Sequence, residues 1–510
     1  MTLPSAEEMM SKQSSDLPLL IFRKPDLILL LFVAFAVNFL VIYGRKIPVG
    51  GNGGDTIIHM AMVRGIYLGR NPFLDQHYNV YPNWYPFLYH SLIALLAKLT
   101  HISIWSLMIW TPLIFAVLMV LSWYRLGEEL NAGILLGSLS FLILKSQLFP
   151  NPKGLIPIFL PLFYLEVLRY QRSGKSRHLV CAGVILGLML WSHYGATLPV
   201  LVGAFVYAIL KKSKSLLLIP FVALLTFSPF LANVLAHIEP GASLMVEGVW
   251  SSDLYLSNAI KRIAPPIWAL PLIILTLWLP RSRDEFWRFI LVMIGSGIGV
   301  NLIPSLMFLV AGIRIFPSRF AIPLHYTYLL LYFYALSSIK NRKLVLYGLS
   351  LSIILYGSIS FVQYNFHNPS TPPTLPTYTY VNFEDLAGNY TKGLVEVSKW
   401  INENTLRDDY LIGYPYTLEW IAGFTGRPVV AVTYGHGNPF LNMEQRRKDI
   451  QEFFTNPRKR EEIIEKYGIK YVILCPFVEE KYNVTISNFS DDFKVVFHWG
   501  EFYILKAPSN

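Results

Sequence analysis

Read for hydropathy, the 510-residue chain is a succession of apolar runs, each of the length that crosses a bilayer as a helix, about 17 to 25 residues. They fall near 27–43, 104–124, 132–149, 154–170, 178–194, 196–211, 215–236, 264–280, 286–311, 320–339 and 343–362. One more run, 86–99, is too short for an upright span and predicts a helix lying along the membrane surface. Past residue 363 the pattern changes. The Pro-rich stretch His367 to Pro376 has no packing period and reads as a linker. Beyond it, amphipathic helical stretches (393–404, 444–455, 458–467) alternate with β-rich runs such as Tyr471-Val472-Ile473-Leu474 and Phe493-Lys494-Val495-Val496-Phe497. The expectation is a mainly α, polytopic membrane protein: about eleven transmembrane helices in residues 1–362, juxtamembrane helices in a first outer loop (44–103), and an extracytoplasmic soluble α/β domain over 363–510.

Composition sharpens this. The chain is 54% hydrophobic and 15% charged, where soluble proteins average roughly 25% charged, so a soluble globule is excluded. Of the net charge of +11, residues 1–362 carry +14 and the remainder −3. The basic excess therefore serves membrane topology and not a nucleic acid. Arg169/Arg172/Lys175/Arg177, Lys211/Lys212/Lys214, Arg281/Arg283/Arg288 and Lys340/Arg342/Lys343 belong on the cytoplasmic side. Working back along the chain puts 125–131 inside and keeps 86–99 outside. The N-terminus is then cytoplasmic behind Arg23-Lys24, its first apolar run a retained anchor without a small-residue cleavage site, and the C-terminal domain faces the cell envelope. All three Asn-x-Ser/Thr sequons (Asn389, Asn483, Asn488) fall in that domain. Two cysteines, Cys181 and Cys475, supply neither a disulfide framework nor a Cys-based zinc site.

Chemistry collects on the expected outer face. The one acid well within a span is Glu166, near an inner end, so the carboxylate relay of a proton-driven transporter is missing, and no long repeat suggests inverted halves. The outer acids of the membrane part are Asp55, Asp75, Glu239, Glu247 and Asp253. In Gly50-Gly51-Asn52-Gly53-Gly54-Asp55-Thr56-Ile57-Ile58-His59, a glycine turn delivers a carboxylate to a helix start, with His59 one turn on along the same face. Asp55 and His59 are the candidate catalytic residues; the plainer alternative is a helix cap and a structural histidine.

Three stretches carry a resemblance: Gly54-Asp55-Thr56-Ile57-Ile58-His59, then Tyr67-Leu68-Gly69-Arg70-Asn71-Pro72-Phe73, then Tyr85-Pro86-Phe87-Leu88-Tyr89-His90-Ser91-Leu92. The chain resembles the GT-C superfamily of membrane glycosyltransferases, in whose first outer loop an Asp or Asp-Glu pair opens one juxtamembrane helix and a Pro-containing stretch opens a second. Pro317-Ser318-Arg319-Phe320, Val397-Ser398-Lys399-Trp400-Ile401 and Trp420-Ile421-Ala422-Gly423-Phe424-Thr425-Gly426-Arg427 add to it. The architecture is similar to the protein mannosyltransferase and aminoarabinose transferase type. With Thr56, the Asp-Glu pair of the protein O-mannosyltransferases is reduced to Asp55. The Trp-Trp-Asp signature of oligosaccharyltransferases is absent, and Leu418-Glu419-Trp420-Ile421 is a distant echo of it.

The resemblance implies transfer of one sugar from a polyprenyl-phosphate donor to a glycan, lipid or protein acceptor on the outer side, with Asp55 as base and inversion at the sugar carbon. Such a donor needs cations for its departing phosphate; Arg319, Arg314, Lys153 and His193 are the candidates, each with the alternative of meeting membrane lipid headgroups. Candidate substrate-binding residues are Asp75, Tyr81, Trp84, Glu247 and His436, the last in the loop Tyr434-Gly435-His436-Gly437-Asn438-Pro439. No particular cofactor is indicated, and a divalent metal held by Asp55 with Asp75 or Glu247 stays open. Other readings are a lipid-linked glycan flippase or transporter, an oligosaccharyltransferase-like protein, and a non-catalytic glycan assembly subunit. The topology is directly testable: cysteines placed at Ser103 and Ser370 should react with an impermeant outside reagent and one at Ser173 should not. Labelling of position 103 from the inside alone would mean that 86–99 spans.

Overall fold

A chain crossing lipid must satisfy its backbone polar groups internally, and the apolar runs among the described residues do so as helices. The computed structural model describes residues 24–43, 55–79, 81–147, 150–237, 254–265, 284–312, 320–336, 343–366, 389–433, 436–489 and 493–508. The membrane part contains α1 (Pro25–Ile42), α2 (Asp55–Tyr67), α3 (Leu88–Thr100), α4 (Ile104–Glu129), α5 (Gly133–Gln147), α6 (Ile156–Ser173), α7 (Arg177–Leu210), α8 (Leu218–Ala236), α9 (Leu256–Ile263), α10 (Glu285–Ala311), α11 (Ala321–Leu336) and α12 (Lys343–Phe366). Five segments among the described residues are long and apolar enough to span: α1, α4, α7, Ser215–Ala236 with α8, and α10. Shorter apolar helices include α3, α11 and parts of α5 and α12. The expected run at 264–280 lies almost wholly outside the described residues.

Ionic contacts gather the helix ends on one face. Lys24 pairs with Glu128, the Tyr124 hydroxyl donates to Asp26 at 3.0 Å, Arg169 donates to Glu129 at 3.0 Å and Lys211 pairs with Glu285. Helix α7 reads as 34 continuous residues, but His193 is non-helical within it (φ −158°, ψ 92°). There the chain folds back. His178 reaches Glu166 at 2.7 Å, and Tyr207 accepts from Gln171 at 2.9 Å, little more than one turn further along α6. A straight helix would hold His178 and Tyr207 roughly 43 Å apart. The two apolar runs at 178–194 and 196–211 are thus the arms of a hairpin whose tip carries His193. That tip lies with α2 and α3 on the opposite face, where Trp191 packs edge-on against Phe87 at 4.8 Å and Asn233 donates to the Phe73 carbonyl at 2.9 Å.

The C-terminal part comprises α13 (Asn389–Asn404), β1 (Tyr410–Ile412), α14 (Pro415–Thr425), α15 (Met443–Thr455), α16 (Arg460–Tyr467), β2 (Ile469–Leu474), α17 (Pro476–Tyr482), β3 (Lys494–Trp499) and β4 (Phe502–Lys506). The sheet order is β1-β2-β4-β3, with β1 parallel to β2 and the other pairs antiparallel. This is the small α/β unit that the alternating pattern after residue 363 predicts.

Helix α14 lies directly on α2. It can approach because position 423 has no side chain: a Cβ there would sit 2.9 Å from Ile57 Cγ2 and 3.3 Å from the Ile57 carbonyl. Overpacking such a contact costs typically ~1–3 kcal/mol. Gly423→Val should therefore lower the thermal midpoint of the purified protein, whereas Gly295→Val on α10, where an added Cβ meets nothing within 4 Å, should leave it nearly unchanged. Equal shifts in the two variants would show that close approach at Gly423 is not a constraint.

Candidate active site

Asp55 is the first residue of α2, where the positive end of the helix dipole favours a carboxylate. Its side chain is 36% exposed, and two cationic groups from distant parts of the chain reach it. Lys153 Nζ lies 3.1 Å from Oδ2. This lysine sits in a short 3-10 turn, Pro152–Leu155, whose backbone is pinned by the Asn151 side chain accepting from Lys153 N at 3.1 Å. From the C-terminal part, His436 Nε2 lies 3.6 Å from Oδ1. The other nitrogen of that imidazole, Nδ1, faces Glu419 Oε1 at 3.1 Å. Glu419 is fully buried in α14, with its second oxygen accepting from the Thr433 hydroxyl and backbone amide. The result is a chain of charge: Glu419, His436, Asp55, Lys153. Burial alone would push the His436 imidazole down, but the carboxylates of Glu419 and Asp55 outweigh it and raise it to about 10.

His59 turns away into a buried nest. Its Nδ1 shares a 3.0 Å hydrogen bond with His90 Nε2, and Tyr85 lies between His59 (5.0 Å) and His193 (5.4 Å). Burial, reinforced by the neighbouring histidines, holds His59 well below its ordinary value and His90 down at about 3, so both are neutral. At the hairpin tip His193 Nδ1 accepts from Ala196 N at 3.2 Å, capping the returning arm and leaving the Nε2 edge as donor.

Asp75 is placed in a buried set of hydrogen bonds rather than beside Asp55. It is fully buried. Oδ2 accepts from Asn438 at 2.9 Å, while Oδ1 accepts from His77 N at 2.8 Å. Both oxygens thus fasten the loop after α2 and the loop that carries His436. Nor do Tyr81 and Trp84 form a common platform: Tyr81 flanks the Arg446 guanidinium at 4.9 Å, and Trp84 meets Tyr85 at 5.1 Å. Arg314, Arg319 and Glu247 lie outside the described residues. Among the described residues no group of three or more His, Cys, Asp and Glu side chains forms a metal-holding cluster, and the two oxygens of Asp55 face Lys153 and His436. The residue that sequence reasoning missed is Glu419. A lone acid in the apolar stretch Leu418–Phe424 was the available signal, because a buried carboxylate needs a cation or hydrogen-bond donors.

A polytopic helical membrane part, with a carboxylate at the start of a juxtamembrane helix and an α/β domain closing over it, defines a class of membrane protein. More narrowly, the chain has the fold of the GT-C superfamily of membrane glycosyltransferases. It is similar to ArnT from Cupriavidus metallidurans (TM-score 0.56, 11% identity, 94% of this chain and 97% of that one). It is also similar to the oligosaccharyltransferase of Archaeoglobus fulgidus (TM-score 0.52, 14% identity, 90% of this chain and 70% of that one). A third likeness is to the arabinofuranosyltransferase AftD from Mycobacteria (TM-score 0.57, 13% identity, 96% of this chain but 40% of that one). No family model and no curated protein matches the chain.

The raised imidazole has a measurable consequence. An ordinary histidine loses its proton near 6.5, so the stability that charged His436 contributes is whole below that pH and falls away as pH climbs towards about 10. In histidine-labelled protein, the His436 ring signal should not titrate between pH 6 and pH 8.5, and Glu419→Gln should bring its midpoint down. A wild-type midpoint near 6.5 would break the link between His436 and the two carboxylates.

Proposed function

We propose that the protein is a membrane glycosyltransferase that moves one sugar from a polyprenyl-phosphate donor to an acceptor on the outer side of the membrane, with inversion. The observation that carries this reading is Asp55, part-exposed at a helix start between Lys153 and His436. The GT-C fold supports glycosyl transfer as the class of reaction.

In the proposed reaction the acceptor oxygen attacks the anomeric carbon while the bond from that carbon to the phosphate oxygen breaks. The acceptor proton passes to Asp55, and the electron pair leaves with the phosphate. A carboxylate facing two cations is a weak base, so the donor must relieve it. The incoming phosphate does this by drawing Lys153 towards itself, since an ammonium on a flexible stem shifts easily between two anions. His436, kept charged by Glu419, holds Oδ1 and aims Oδ2 at the acceptor. Arg319 and Arg314 are proposed as further phosphate ligands, Arg319 in the bidentate manner open to a guanidinium. The N-terminus is proposed to be cytoplasmic, with the basic face inward.

Asn keeps the capping oxygen of Asp and removes the base. Asp55→Asn should therefore fold and retain donor while transfer falls by roughly 10²-fold to 10⁴-fold, the contribution of a general base. Detergent-purified protein with a panel of radiolabelled polyprenyl-phosphate sugars and cell-envelope acceptors measures it. Near-normal turnover in the variant would reduce Asp55 to a cap; transfer from no donor in the wild type would remove the reaction itself.

A further inference from the structure

A second feature lies behind the relay, within the C-terminal part. The start of α14, the face of α15 from Arg447 to Thr455 and the end of α17 line an open cleft of about 640 Å³. Tyr414, Tyr416 and Tyr482 give it aromatic walls, Arg447 and Lys481 two cations, and Gln451 and Asn483 two amide side chains. The rings are braced from outside the cleft: Tyr482 stacks on Phe454 at 5.2 Å, and Tyr414 packs against Phe477 at 5.4 Å. Thr433 also lines the cleft, and its hydroxyl touches both Glu419 and His436 Nδ1. One imidazole ring therefore separates the cleft wall from Asp55.

Rigid tyrosine faces bury the apolar C–H face of a sugar ring, and amides and hydroxyls match its hydroxyl groups in both donor and acceptor roles. The lining includes two cations and no carboxylate; the adjacent Glu480 acts on Tyr414 from outside it. We propose that this cleft is a remote acceptor subsite and that it takes a saccharide bearing acidic groups, holding one part of the glycan across the tyrosines while another part reaches Asp55 past the His436 wall. The assignment of acceptor rests on the transfer reading above. The affinity for an acidic saccharide does not.

Calorimetry on the full-length protein in detergent tests it with three probes: the hexamer of galacturonic acid, maltohexaose and hexaglutamate. The galacturonic acid hexamer should bind, with maltohexaose about tenfold weaker for want of charge-assisted contacts and hexaglutamate weaker still for want of sugar faces. The double variant Arg447→Gln/Lys481→Gln should lose the preference for the acidic sugar, and Gln451→Ala, at an exposed position, should weaken both sugars, with thermal midpoints unchanged. The proposal is overturned if maltohexaose or hexaglutamate binds as tightly as the acidic hexamer, if the double variant keeps the preference, or if none of the three binds. Asp55→Asn should bind the acidic hexamer like wild type. Binding without transfer from any donor would refute the reaction alone, and transfer without such binding would refute the subsite alone.

Discussion

A carboxylate sealed in an apolar helix is the constraint around which the rest of the site is arranged. Glu419 is fully buried, and a buried charge of this kind persists only where a cation or several donors meet it. His436 and Thr433 meet it. Once the imidazole is charged by that requirement, its second nitrogen has a positive face to spend on another anion, and Asp55 is the anion within reach. The buried acid thus acts at a distance of one ring, fixing the charge and direction of the histidine that contacts the exposed one.

The fastening of the two halves has the same logic. The described residues between Gly69 and Phe87 have little regular structure of their own, and side chains among them find partners in the C-terminal part. Arg70 donates to the Gln76 and Arg407 carbonyls and pairs with Asp408, Asn438 bridges Asp75 and the Pro82 carbonyl, and Arg446 is enclosed by Tyr78, Tyr81 and Tyr467. Beneath them the neutral His59 and His90 share one proton-bearing contact and add no charge to the site. Polar groups buried in this number specify a single docking geometry, because any shift leaves several of them without partners.

Much of the fold was legible because burial in lipid demands long apolar helices, and few other patterns satisfy that demand. The hairpin in α7 was visible as two runs separated at Ser192-His193-Tyr194-Gly195, although its backbone is helical almost throughout. Asp55, Lys153 and His436 each stood out singly, as a carboxylate after glycines, a cation after Asn-Pro and a histidine between glycines. Their meeting did not, since they come from three separate segments and nothing in local spacing encodes a contact across the chain. Glu419 was read as part of an echo of another signature because its neighbours drew attention to the aromatic residue. The burial of Asp75 was hidden for the opposite reason: an acid in a loop suggests exposure, and its contact with Asn438 comes from a distant part of the chain.

The order in which a ribosome makes the chain gives that docking a further meaning. Arg70 emerges 338 residues before Asp408, an interval of roughly 20 to 70 seconds at ordinary elongation rates. Throughout it, Arg70 and Asp75 lack the Asp408 carboxylate and the Asn438 amide that meet them in the finished fold. Insertion of the helices and completion of the site are therefore separate events in the life of the molecule. A chain halted before Glu419 would hold the described helices of the membrane part and lack both His436, which meets Asp55, and Glu419 behind it.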